Sequence, residues 1–60
     1  MKITIIYDNE PKKIYTNVIE IEYTKPFGMK QIVITQDDGI NPNEEHSLYM
    51  VHIIGFLITI

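Results

Sequence analysis

The chain has no cysteine, no tryptophan, no alanine, no arginine and a single serine. Each absence removes a class of protein. Without cysteine there is no disulfide framework and no thiolate metal site. Without alanine the best helix former is missing. The net charge is −3, and all five cations are lysines: Lys2, Lys12, Lys13, Lys25 and Lys30. None lies beyond position 30, where Asp37, Asp38, Glu44 and Glu45 stand instead. That balance speaks against nucleic acid as a partner, and equally against an anionic membrane surface. The three glycines are isolated, so no glycine-rich phosphate loop exists.

What is present is β-branched. Isoleucine alone supplies 13 of 60 residues, and Ile, Val and Thr together supply 21, a composition that suits a pleated sheet. The 45% hydrophobic share is that of a folded domain. Ile, Lys, Asn and Tyr, which have A/T-rich codons, make up 26 residues, so a low-GC genome is the expected source. Residues 1–60 make one small domain.

Residues 2–8 read as a strand with Ile3, Ile5 and Tyr7 on one face and Thr4 and Ile6 on the other. Asp8-Asn9-Glu10-Pro11 supplies turn chemistry. Residues 12–24 form a longer strand region with a bend or bulge at Asn17, after which Ile19, Ile21 and Tyr23 alternate with Glu20, Glu22 and Thr24. Lys25-Pro26-Phe27-Gly28 carries Pro at i+1 and Gly at i+3, as a type I turn does. Residues 29–36 are the next strand, with Ile32 and Ile34 sharing a face, and the polar loop 37–45 ends it.

Residues 43–54 admit two readings. Asn41 as N-cap, Pro42 at the first helical position and Gly55 past the end would frame a helix. Its apolar residues would wrap all round, however, so the favoured reading is a strand over 46–51. A tight turn follows near His52, and a last strand covers 55–60. The prediction is an all-β, four- to five-stranded antiparallel meander. It would form either a small SH3-like barrel or a dimeric sheet-on-sheet sandwich, the alternative being a sheet plus one helix over 43–54.

Residues 48–60 are apolar apart from His52, Gly55 and Thr59. The run is shorter than the roughly 20 residues of a membrane span. Lys2 alone before an alternating strand does not make a signal peptide, so the expected compartment is the host cell cytosol. A chain this short has little surface with which to cover such a run. A homo-oligomer is expected, a dimer being the commonest closed form, with Phe56, Leu57, Ile58 and Ile60 at its interface. The last strand, apolar on both faces, is expected to be central or covered on both sides.

Chemistry is sparse. His46 and His52 are six residues apart, roughly 20 Å along a strand, too far to share a metal ion. The oxygen-rich loop Asp37, Asp38, Asn41, Asn43, Glu44, Glu45 lacks the spacing of a calcium loop, because Gly39 directly follows Asp38. Ser47 and His46 are neighbours and so point to opposite faces of a strand, which removes a base for the lone serine. The chain is therefore read as a non-enzyme without metal or cofactor. Phe27, at a hairpin tip, is an apolar anchor for a partner unless it folds back over the sheet edge. Lys25, Phe27, Asp37, Asp38, Glu44 and Glu45, all on or beside strand connections, make the expected partner surface.

The run Lys2-Ile3-Thr4-Ile5-Ile6-Tyr7, then Val18-Ile19-Glu20-Ile21, Ile32-Val33-Ile34, Asp38-Gly39 and Ile53-Ile54-Gly55-Phe56-Leu57-Ile58 gives the chain a family style. It resembles the short all-β accessory proteins encoded by phages and prophages of low-GC Gram-positive bacteria. The resemblance spans the chain and carries over no functional residue. It implies an oligomeric inhibitor that occludes a host or bacterial-defence protein. The alternatives are a sponge for a small signalling nucleotide, served by Lys12, Lys13, Lys25 and Lys30, or a structural or assembly protein of a phage particle.

Overall fold

The computed structural model describes residues 1–37, 39–40 and 43–60. Period-two alternation of β-branched side chains produces six strands among them. These are β1 (Lys2–Tyr7), β2 (Lys13–Tyr15), β3 (Val18–Thr24), β4 (Gln31–Gln36), β5 (Glu44–Tyr49) and β6 (Ile53–Thr59). They form two three-stranded antiparallel sheets, ordered β2-β1-β6 and β3-β4-β5. The chain is all-β, as its composition predicts. The helix considered over 43–54 is replaced by β5 and the start of β6, and the capping role of Asn41 and Pro42 falls outside the described residues. No helix among the described residues is long and apolar enough to cross a membrane.

Three features differ from the expectation. There are six strands, because Asn17 divides residues 12–24 into β2 and β3. Asn17 adopts a left-handed backbone with φ 52°, which ends one strand and redirects the next. The sheets do not close into a barrel. Sheet-on-sheet packing is present, but within one chain, since two sheets supply each other's cover.

The core lies between the two central strands. Ile3 and Ile5 of β1, Ile32 and Ile34 of β4, and Val18 of β3 are the buried hydrophobic residues. Tyr7, Tyr15, Ile21, Leu48 and Ile53 pack around them. Ile34 sits between Ile21 and His46 in its sheet, and Ile5 sits between Lys13 and Phe56 in the other. A register shift between Val18 and Glu20 makes Ile19 a bulge residue, so Ile19 is exposed and Val18 takes the core position.

The last strand is the largest correction. β6 is not central. It lies at the edge of its sheet, paired among the described residues to β1 alone, because β1 carries the all-buried Ile3 and Ile5 and takes the middle. Phe56, Leu57, Ile58 and Ile60 are all exposed hydrophobics.

Candidate functional site

Strands β3 and β4 are joined by a tight turn whose tip is the most exposed aromatic of the chain. Two overlapping tight turns span Lys25–Met29. Gly28 N–H donates to the Lys25 carbonyl at 3.3 Å and Met29 N–H to the Pro26 carbonyl at 2.9 Å. At the base of the hairpin Thr24 Oγ1 donates to Gln31 Oε1 at 3.3 Å. Met50 N–H donates to the Lys30 carbonyl at 3.1 Å, tying the start of the β5–β6 link to the same end of the sheet.

Phe27 is fully exposed, at 102% of its reference surface. It does not fold back over the sheet. Its backbone is left-handed, φ 53° and ψ 31°, which departs from the type I geometry expected of Pro at i+1 and Gly at i+3. A bulky residue seldom takes this conformation. Proline fixes the preceding φ and Gly28 follows at φ 79°, so two consecutive left-handed residues turn the chain and thrust the Phe27 ring outward. Met29 and Val51 are exposed apolar residues at this end of the fold, beside the cations Lys25 and Lys30. Sequence reasoning found Phe27 and missed Met29 and Val51. The strand expected over 46–51 includes Val51, whereas β5 ends at Tyr49 and Val51 lies in the link.

The acidic residues lie elsewhere. Asp37, Glu44 and Glu45 sit at the other end of β4, about 20 Å away for six strand residues. Asp37 N–H donates to the Asn17 carbonyl at 3.0 Å, and its Oδ1 accepts from Gly39 N–H at 2.9 Å. Glu44 lies opposite Gln36 and Glu45 opposite Thr35. Asp38 lies outside the described residues. The expected partner surface therefore divides into an aromatic, lysine-flanked tip and an acidic end, with β4 between them.

The histidines are separated by topology. His46 Nε2 donates to Gln36 Oε1 at 2.7 Å and lies 3.7 Å from Glu44 Oε1. His52 sits in the β5–β6 link with φ 67°, and its Nδ1 donates to Asp8 Oδ1 at 3.1 Å. Among the described residues no three His, Asp or Glu side chains converge as metal ligands. Ser47 pairs with Val33 on the face opposite His46, which pairs with Ile34.

The outer face of sheet β2-β1-β6 is apolar, a feature the strand assignments did not single out. Ile14 and Leu57 flank Thr4 across the strands, and Ile6 follows in the next row, opposite Gly55. All three hydrophobics are exposed. Ile6, apolar on the face opposite Ile3 and Ile5, was the legible sign of it. The outer face of the other sheet is polar, with Glu20, Thr35 and Glu45 in one row and Glu22, Val33 and Ser47 in the next.

Against protein-family models, curated proteins and solved structures alike, the chain has no match.

Proposed function

We propose that this is a non-enzymatic protein-binding protein, a phage-encoded homo-oligomeric inhibitor that occludes a host or bacterial-defence protein in the cytosol. One observation carries the reading: Phe27 is fully exposed on a left-handed backbone. Neither burial nor backbone preference accounts for a phenylalanine there. An aromatic anchor that fills a partner's pocket does, and such anchors supply much of the energy of an interface. Met29, Val51, Lys25 and Lys30 form the surround of that anchor. The acidic end, with Asp37, Glu44 and Glu45, is too distant to share its footprint on a small partner and acts in long-range steering.

Self-association belongs to the same reading. The exposed hydrophobics of β6 are what a second copy would cover. The nucleotide-sponge reading gains less support, since Lys13 is already paired with Glu10 at 3.6 Å and lies over the Tyr7 ring.

The test is affinity capture from a low-GC Gram-positive host, with mass spectrometry of both proteins and small molecules, using the native chain and Phe27→Ala. The expected result is one stoichiometric protein, retained by the native chain and lost with Phe27→Ala. A nucleotide recovered without a protein would establish the sponge instead. A particle protein captured independently of Phe27 would establish the assembly role.

A further inference from the structure

The geometry points to β6 as a self-complementary edge through which two copies join their sheets, antiparallel strand to antiparallel strand, into one continuous six-stranded sheet. This rests on the self-association proposed above and names its mode.

An edge strand presents a row of unpaired N–H and C=O groups, and folded proteins protect such edges with charge, proline, bulges or shortness. Three of the four edges here are protected. β2 is only three residues long and is entered through Pro11, Lys12 and Lys13. β3 carries Glu20 and Glu22 and the bulge at Ile19. β5 opens with Glu44, Glu45 and His46. β6 reads Ile-Ile-Gly-Phe-Leu-Ile-Thr over seven residues, with no charge and no proline. Its one irregularity, the register shift opposite Ile6 and Tyr7, lies at its start and leaves residues 55–59 in regular register with β1.

The occupant follows from charge and symmetry. A second copy laid antiparallel along β3 would bring Glu20 against the partner's Glu22, which like-charge pairing penalises, and along β5 it would set Glu44 and Glu45 against the apolar side chains of the partner's Tyr49 and the partner's Leu48. Laid along β6 it meets no charge at all. Centring a two-fold axis on the regular stretch sets Leu57 opposite the partner's Leu57. Phe56 then lies opposite the partner's Ile58, and Gly55 opposite the partner's Thr59. The aromatic and β-branched pair is a favourable cross-strand combination and occurs twice by symmetry. Phe56 and Ile58 lie on the core-facing side of β6 yet remain 47% and 45% exposed, while Leu57 on the outer side is 62% exposed. Joining two edges covers both sides at once and extends each core across the junction. An interface built on one strand is at the small end of the range, so the pairing should have a dissociation constant on the order of micromolar.

Hydrogen exchange read by NMR across a concentration series, beside light scattering, tests the mode. In the monomer, alternate amides of residues 55–59 bond to β1 and the rest face solvent. Edge pairing protects the second set as the dimer forms. Leu57→Lys should raise the dissociation constant at least about tenfold, because it places like charges directly opposite. Ile14→Lys, on the outer face of the same sheet, should leave the dimer intact. A monomer at every concentration up to the millimolar range overturns both the self-association and its mode. A dimer whose solvent-facing β6 amides stay unprotected, or one dissolved by Ile14→Lys, overturns edge pairing while self-association stands.

Discussion

The Tyr15 ring lies against the His46 imidazole, with centroids 5.0 Å apart and planes tilted by 46°. The two residues belong to different sheets, β2 and β5, and share no ladder. Gln36 completes the connection: its Oε1 accepts from His46 Nε2 at 2.7 Å and its Nε2 donates to the Thr16 carbonyl at 2.8 Å. Both halves of the Gln36 amide are thus used, one toward each sheet.

That arrangement should behave as a unit. Tyr15→Leu and His46→Leu together should cost less than the sum of the single changes, with a coupling of about 0.5–1.5 kcal/mol for a tilted ring pair. A double-mutant cycle from urea unfolding measures it. Additive losses would show that the rings are neighbours without being partners.

Tyr7 gives the fold a pH dependence on the alkaline side. Burial raises its phenol above the ordinary value of about 10, and the nearby Lys13 ammonium offsets this only in part. The unfolded chain therefore loses this proton first. Its contribution is complete below about pH 10 and is lost as pH rises from there through the folded-state value. Tyr7→Phe cannot titrate, so it should flatten the fall in stability above about pH 10 relative to the native chain. Urea midpoints for both proteins from neutral pH to above about pH 10 check the sign.

Core and edge isoleucines and aromatics should separate cleanly. Ile34 is fully buried in the central strand of its sheet, and Ile34→Ala should cost about 2–5 kcal/mol. A 60-residue domain has a total of only about 3–9 kcal/mol, so that variant should be largely unfolded at room temperature. Phe56→Ala, at a half-exposed edge position, should cost about 1–2 kcal/mol and leave the chain folded. Circular dichroism in increasing urea distinguishes them. Equal losses would mean that β6 is held between covers after all.

Alternation made much of this legible. Ile3 with Ile5 and Ile32 with Ile34 stand two apart in clean strand patterns, and all four are buried. Asn17 interrupted its strand pattern because an asparagine tolerates the left-handed backbone found there. Where reading failed, the deciding facts were non-local. Ile19 fits an alternating series, yet a bulge shifts it outward and gives its place to Val18. β6 is the most apolar strand and still lies at an edge, because sheet order depends on which strands close a hairpin or return across the fold. The aromatic tip and the acidic loop are grouped as one expected partner surface because both are strand connections. Their separation follows from β4 running between them, and the strand expected over 29–36 already implies it.

Phe27 offers a test in which stability and binding should move in opposite directions. Its left-handed backbone costs a phenylalanine about 1–2 kcal/mol, and its fully exposed ring recovers none of that by packing. Asparagine tolerates the same backbone far better. Phe27→Asn should therefore raise stability by about 0.5–1 kcal/mol, read as a higher urea midpoint with an unchanged slope. Gly28, at φ 79°, already uses the residue best suited to its own position, so Gly28→Ala should destabilise by a comparable amount. If Phe27 is the anchor, Phe27→Asn should also weaken partner binding by about 2 kcal/mol or more. A more stable protein that binds less well would show that the strained ring is kept for its partner. A less stable one would show that the ring packs against its own fold, and the binding surface would then have to be sought along β6 or the outer face around Thr4.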